Sequence, residues 1–477
     1  MECNQDLITR ITAEVLAIVQ AEKRQEAVDG IFTTVDEAVT AARKAQKQLR
    51  QLTIEKREML IRAMRDAAYN NAELLAEMAV KESGMGRVAD KILKNQLAAC
   101  KTPGTEDLRT EAWSGDNGLT LVEMAPYGVI CAITPTTNPS ETVINNGIGM
   151  IAASNSVVFS PHPTAKNTSL KTIAILNEAI VKAGGPSNLL TAVAEPSLEA
   201  TNALMQHPGI NMLVATGGPA VVKAVLSSGK KAIGAGAGNP PVVVDKTADI
   251  ERAAKDIVDG ASFDNNLPCI AEKEVIVLGC IADKLVTNMQ KHGAYLISGS
   301  SIDRLVKLVL TEREELAASG CTEKPKRTLA VNKKFVGKDA KYILSQIGID
   351  VPDSVRLVIC ETSADHPFVQ EELMMPILPV VQVKDIEEAI ELAVSVEHGN
   401  RHTAVMHSQN VEHLSRYARA AETTIFVKNA PSYAGIGFGG EGFTTFTIAG
   451  PTGEGITSAR SFTRQRRCVL VDAFSVV

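Results

Sequence analysis

INMLVATGGPAVVKAVLSSGKKAIGAGAG, residues 210–238, reads as a buried strand, a glycine turn, an amphipathic helix and a second apolar strand. Met212 to Ala215 form a short continuous apolar run, Thr216-Gly217-Gly218 breaks it, and Pro219 stands where proline favours the first turn of a helix. Upstream the same alternation appears in SVVFSP (156–161), TSLKTIAILNEAIVKAG (168–184), LLTAVA (189–194) and LEATNALMQ (198–206). Strands that follow one another through helices pair in parallel with helices on the faces, so the fold class expected is α/β. The alternation restarts after NPPVVVD (239–245) with IERAAKDIVDGAS (250–262), EVIVLG (274–279), ADKLVTNMQKHG (282–293), PILPVVQV (376–383) and DIEEAIELAVSV (385–396). That restart places a domain boundary near Val242 to Asp245.

The segments before this stretch are helical: 35–49, 54–83 and 89–101 are long amphipathic runs. GLTLVEMAPYGVICAITP (118–135) changes period and suggests a strand or hairpin followed by a buried strand. The tail SARSFTRQRRCVLVDAF (458–474) ends in a strand too apolar for a free terminus, which is expected to pair with a sheet, including one of another subunit. Residues 6–19, DLITRITAEVLAIV, put Leu7, Ile11, Val15 and Ile18 on one helical stripe, and the polar QAEKRQEAVDG (20–30) separates them from the rest. Asp6, Arg10 and Glu14 interrupt any export-signal core. The helix reads either as a peptide that docks on a partner or as an ordinary first helix of the domain.

The 477 residues are 45% hydrophobic and 22% charged, enough for two large domains. A net charge of −6 with the signs mixed gives no basic face for nucleic acid, and no apolar run reaches membrane-spanning length. Eight scattered cysteines without a CxxC pair fit a reducing compartment and no structural zinc. His398, His402, His407 and His413 lack metal-site spacing and read as structural, while Arg464 to Arg467 read as a solvated face or an interface.

Three loops carry candidate chemistry. In SFDNNLPCIAEKEVIVLG (262–279), turn residues precede Cys269 and a strand follows it, an exposed junction suited to a nucleophile. A small side chain plugging a core edge is the competing reading. Thr216-Gly217-Gly218 between strand and helix can face a phosphate with backbone amides, or can simply turn the chain. ITPTTNPSETVINNG (133–147) joins strand to helix through a loop able to aim Asn138 at developing negative charge.

Taken together and in order, KESGMGRV (81–88), SGDNGLTL (114–121), TPTTNPSETVINN (134–146), VVFSPHP (157–163), ATGGPAVV (215–222), GAGAGNPPVVVD (234–245), GASFDNNLPC (260–269), PTGEGITSARSF (451–462) and RRCVLVDAF (466–474) resemble the aldehyde dehydrogenase superfamily. The resemblance is greatest to the coenzyme-A-acylating acetaldehyde and propionaldehyde dehydrogenases of bacterial microcompartments. It implies a Rossmann-type cofactor domain at 31–242 carrying an oligomerisation hairpin at about 112–126. It also implies an α/β catalytic domain at 243–445, and a return segment with a C-terminal oligomerisation strand at 446–477. Residues 1–20 would be a targeting peptide for a shell protein and 21–30 its linker, placing the enzyme in the cytoplasm inside a microcompartment as a homodimer or homotetramer.

The resemblance further implies that Cys269 attacks a short-chain aldehyde, with Asn138 among the oxyanion donors, and that hydride passes to NAD. Pro135, Thr136, Thr216, Gly217 and Gly218 would line the nicotinamide and pyrophosphate path. Gly236 would approach the nicotinamide amide and Glu372 would hold its ribose. EELMMP (371–376) departs from the EExFGP of hydrolytic members, and Ser160 stands where they place a lysine; with His162 it would reshape the adenosine end so that coenzyme A can use the cleft. Ala235 occupies the position of the glutamate with which hydrolytic members activate water. A thiol near pKa 8.5 supplies a few per cent thiolate near pH 7 without such a base, so coenzyme A is expected as acyl acceptor. The alternatives are a hydrolytic enzyme in which another carboxylate, such as Asp264, activates water, and a non-catalytic scaffold that binds nucleotide and shell protein.

Overall fold

A computed structural model describes residues 29–315, 326–450 and 452–475. The amphipathic stretch 6–19 lies outside them. The first sheet has six parallel strands in the spatial order Ile31–Phe32, Leu190–Val193, Ser156–Ser160, Val129–Ile133, Met212–Thr216, Lys231–Ala235. Val129–Ile133 and Ser156–Ser160 are buried at every residue, which is why they read as unbroken apolar runs. Apart from the edge strand Ile31–Phe32, chain order runs outward from Val129–Ile133 in both directions. The switch point, where a crevice opens beyond the carboxyl ends of the strands, therefore lies between Val129–Ile133 and Met212–Thr216.

The second sheet has seven parallel strands in the order Ala294–Ile297, Leu357–Glu361, Ile377–Val383, Glu274–Leu278, Pro241–Val244, Thr403–His407, Ile425–Lys428. Lys231–Ala235 ends the first sheet and Pro241–Val244 begins the second, joined only by the strap 236–240. The carboxyl ends of the first sheet thus face the amino ends of the second. After Ile425–Lys428 the chain returns to the first core: Asn145 Oδ1 accepts from the Phe446 amide at 3.1 Å, and Asn155 Nδ2 donates to the Phe462 carbonyl at 2.9 Å.

One expectation is borne out and one is corrected. The apolar tail strand, Thr463–Val471, pairs antiparallel with Gly118–Pro126 of its own chain, and Glu111–Gly115 completes a three-stranded sheet. The hairpin supplies the edge in cis, so no second subunit is needed to satisfy the tail's backbone. The helical run 54–83 is two helices, Ile54–Asn70 and Ala72–Ser83, broken at Asn71, whose side chain bonds back to the Ala67 carbonyl at 2.8 Å. A short amide competing for the backbone ends a helix that periodicity alone continues.

Helix Ile250–Ser262 and the strand Glu274–Leu278 flank the Cys269 turn, and Glu272 fastens that turn to the short helix Ser432–Ile436. Its carboxylate accepts from the Ser432 amide at 2.8 Å and the Ser432 hydroxyl at 2.9 Å. A Cβ on Gly260 would stand 2.2 Å from Glu272 Oε2, so only glycine lets helix and carboxylate approach. Gly260→Ala is expected to lower unfolding stability in urea by about 1–3 kcal/mol through overpacking. An unchanged midpoint would show that Glu272 can swing aside at no cost.

Candidate active site

The loops flagged in the sequence lie at the carboxyl ends of the first sheet's strands or at the amino ends of the second's, the two edges that the strap 236–240 joins. From the first sheet come the loop after Val129–Ile133 (Pro135, Thr136, Asn138), the end of Ser156–Ser160 with His162, and the turn after Met212–Thr216. From the second come Cys269, ahead of Glu274–Leu278, Glu372, ahead of Ile377–Val383, and His402, ahead of Thr403–His407.

Cys269 lies in a turn, as its flanking residues indicate, but it is half-buried rather than exposed, because the strap and Lys273 close over the turn. Asp264, Asn265 and Asn266 all have left-handed backbone, with φ of 46°, 55° and 65°. Asp and Asn tolerate that region better than other non-glycine residues, so this run of three suits DNN. Lys273 clamps the turn from behind: its Nζ donates to Asn266 Oδ1 at 2.6 Å and to the Asn266 carbonyl at 3.0 Å. The strap crosses in front, where a Cβ on Gly238 would sit 2.7 Å from the Cys269 carbonyl oxygen and 2.8 Å from Cγ of His402. Any larger residue would displace the nucleophile or the imidazole.

The electrostatics hold the thiol protonated. Burial first, then the Glu372 carboxylate, push Cys269 up to about 12, against the pull of Lys273 and Lys94. Burial likewise raises Glu372, which accepts from the Gly238 amide at 3.4 Å, and lowers Lys273. His402 is pushed down to about 4, chiefly by burial and then by Lys273, so its imidazole is neutral. Its Nδ1 meets Thr403 Oγ1 at 2.9 Å, while the buried Nε2 has no protein partner among the described residues. The structural reading given to His402 from sequence is therefore incomplete, because the ring forms part of the wall around Cys269.

Ala235 closes its strand 3% exposed, paired in register with Thr216, and offers only a methyl group. Asp264, weighed as a substitute base, is engaged elsewhere. Its Oδ2 accepts from Lys91 at 3.0 Å and Lys94 at 2.6 Å, and its Oδ1 accepts from the Arg87 amide at 2.8 Å. Despite burial, the two lysines hold its carboxyl below the usual range. Glu372, not Asp264, is the carboxyl group that bears on the thiol.

The first-sheet loops fit a dinucleotide. A Cβ on Gly218 or Gly236 would meet nothing within 4 Å, so open space lies over the turn and over the strap. Gly218 also caps the helix Pro219–Leu226, whose free amides suit a phosphate. Thr216 Oγ1 meets Thr447 Oγ1 at 2.8 Å, and Gly217 is fixed through its amide to the Ala235 carbonyl at 3.1 Å. Farther along, Thr136 meets Thr164 at 2.8 Å and Ser160 meets Thr201 at 2.8 Å, while His162 is exposed and caps the next turn. These residues lie along the carboxyl edge of the first sheet. Among the described residues no group of three or more His, Cys, Asp or Glu is placed to hold a metal ion.

Lys91, Lys94, Lys273 and His402 were missed from sequence as members of the site. Lys91 and Lys94 lie on a helix whose pattern assigns lysine to solvent, yet each is 1% exposed. The one available signal was Asp264, an acid inside a turn that buries its neighbours.

The aldehyde dehydrogenase family profile matches residues 8–449. The chain is 50% identical over 476 residues to an acetaldehyde dehydrogenase (acetylating) of Salmonella typhimurium, covering 99% of each. A crystal structure of Rhodopseudomonas palustris propionaldehyde dehydrogenase with bound CoA and an acylated cysteine is 56% identical, with a TM-score of 0.89 over 94% of this chain and 100% of that one. Propionaldehyde dehydrogenase from the Clostridium phytofermentans fucose utilisation bacterial microcompartment is 53% identical at the same TM-score of 0.89, covering 94% of this chain and 100% of that one. The paired parallel sheets, the cysteine in their cleft and a likeness running almost end to end agree: the chain belongs to the aldehyde dehydrogenase family.

Proposed function

We propose that this protein oxidises a short-chain aldehyde, acetaldehyde or propionaldehyde, to the acyl-CoA with a nicotinamide dinucleotide as hydride acceptor and coenzyme A as acyl acceptor. The observation that carries the reading is the pairing of Cys269, against the strap, with Ala235 at the strap's start, where a water-activating glutamate would stand. The likeness to a propionaldehyde dehydrogenase holding CoA and an acylated cysteine supports it.

The chain's residues divide the work as follows. Cys269 Sγ, once deprotonated, adds to the aldehyde carbon, and Asn138 Nδ2 with backbone amides of the cleft receives the oxygen as it becomes anionic. Collapse of the thiohemiacetal expels hydride and leaves a thioester on Cys269. A nicotinamide dinucleotide held along Thr216-Gly217-Gly218 and Gly236 would supply the hydride acceptor. The thiol of coenzyme A then attacks the thioester carbonyl, and Cys269 leaves as thiolate. Pro135, Thr136, Ser160, His162 and Glu372 border the path by which both long ligands enter. A hydrolytic outcome would need Glu372 as base, since it is the carboxyl group beside the thiol.

The amphipathic residues 6–19 are read as the segment that docks on a shell protein and carries the enzyme into a bacterial microcompartment. The homologue from the C. phytofermentans compartment supports that reading. Among the described residues no helix is long and apolar enough to cross a membrane. Self-association into a dimer or tetramer is assigned to the three-stranded sheet, where Trp113, Val469 and Val471 are 52%, 56% and 69% exposed.

Steady-state NADH formation from propionaldehyde is expected to require coenzyme A and to yield propionyl-CoA; without it, at most one NADH per site should form. Equal rates giving propionate would sink the acylating reading. Inactivation by iodoacetamide is expected to climb about tenfold per pH unit from pH 7 to 10, because burial and then Glu372 push the free thiol up to about 12. Removing the neighbouring carboxylate lowers a thiol's pKa, so Glu372→Gln should speed alkylation at every pH in that range; a plateau below pH 8 in the unaltered enzyme would contradict this electrostatic account. Deleting residues 1–20 should leave soluble activity intact and abolish co-purification with shells.

A further inference from the structure

Asn138 occupies the N-cap of helix Pro139–Ala152, yet its side chain makes no capping bond. Its Oδ1 instead accepts from Lys94 Nζ at 2.5 Å. The same ammonium donates to Asp264 Oδ2 at 2.6 Å and lies 3.1 Å from Glu141 Oε1. Lys94 is 1% exposed, and Asp264 and Glu141 are fully buried. An ammonium group has three protons and no lone pair to offer, so only the amide oxygen can face it. The amide NH2 must then point the other way. One contact of that group is recorded, Nδ2 to Thr137 Oγ1 at 3.3 Å, which leaves a second proton available.

Asp264 lies in the left-handed turn that leads to Cys269, and Asn138 in the loop of the opposite sheet. Lys94 touches both, so one side chain sets the amide's rotation and its distance from the nucleophile turn. Lys91 shares the load: its Nζ reaches Asp264 Oδ2 at 3.0 Å and the Thr137 carbonyl at 2.9 Å. The carboxylate of Asp264 would therefore remain paired if Lys94 lost its charge.

We propose that Lys94 is a positioning residue for acylation of the enzyme, turning the Asn138 NH2 toward the developing thiohemiacetal oxygen and fixing it relative to Cys269 through Asp264. The inference rests on the reading of Asn138 as an oxyanion donor. It explains why a buried lysine stands on an otherwise ordinary amphipathic helix, and it gives both lysines a role beyond neutralising one carboxylate.

The test is single-turnover NADH formation from propionaldehyde in the full-length enzyme, with the KM for NAD and a thermal melt recorded for each variant. Asn138→Ala is expected to slow the burst by about 10²–10³. Lys94→Met should slow it by about tenfold or more while the KM for NAD stays within about twofold. The double variant should be no slower than Asn138→Ala alone, because both changes disable one device. Lys94→Gln, whose amide can still donate to Oδ1, should recover most of the rate. A Lys94→Met burst at the unaltered rate, or a double variant showing the product of the two losses, would overturn the proposal and leave Lys94 a structural ion. A normal burst in Asn138→Ala would instead overturn the oxyanion reading itself. Should Lys94→Met fail to fold, Asn138→Asp decides: its carboxylate satisfies Lys94 but presents no N–H, so it should fold and be as slow as Asn138→Ala. A fast Asn138→Asp would overturn the proposal.

Discussion

The close approach of Gly238 to the Cys269 carbonyl and the His402 ring is the constraint on which the rest depends. A five-residue strap is all that separates the last strand of one sheet from the first of the next, so the two sheets meet end to end. Parallel strands present their carboxyl ends together, and the strap turns that property into a facing pair of loop clusters. One cluster suits a dinucleotide and the other holds a cysteine. Lys91 and Lys94 span the two, touching the loop of Asn138 on one side and Asp264 of the cysteine turn on the other.

Around this crossing the protein buries charge. Lys91, Lys94, Asp264 and Glu141 lie inside, and Lys273, Glu372 and Glu272 enclose the nucleophile turn. Buried ions are costly unless paired, and removing one partner from such a pair usually costs several kcal/mol. Lys91 and Lys94 are paired with Asp264 and Glu141 across elements distant in sequence, which makes them locks between helix and loop, and Lys94 also bears on the thiol. The cysteine is consequently quiet in the resting protein: enclosure and a nearby carboxyl keep it protonated.

Much of this was legible in the sequence, for reasons of periodicity. Short apolar runs between turn residues located strands such as Met212–Thr216, and DNNLPC announced a cysteine in a turn because three consecutive turn-forming residues precede it, although its half-burial was not announced. Buried lysines were not legible, because Lys91 and Lys94 fall on a helix at spacings that a solvated face would share. His402 was hidden for a related reason: nothing in HGNRH tells that Gly238, more than a hundred and fifty residues away, presses on its ring. The pairing of the tail with its own hairpin depended on register between strands far apart, which side-chain patterns within either strand do not encode.

The division of the site between two sheets has a consequence for how the molecule ages and fails. Neither half retains a remnant of the reaction when the other is lost, since one keeps a cradle without a nucleophile and the other a nucleophile without a cradle. Asn155 and Asn145 tie the returning chain, which leaves the second sheet, to the first core, so that segment is a second covalent link between the halves beside the strap. A population of partly damaged molecules would thus hold fully competent and fully silent members, with few in between, and specific activity would count intact chains.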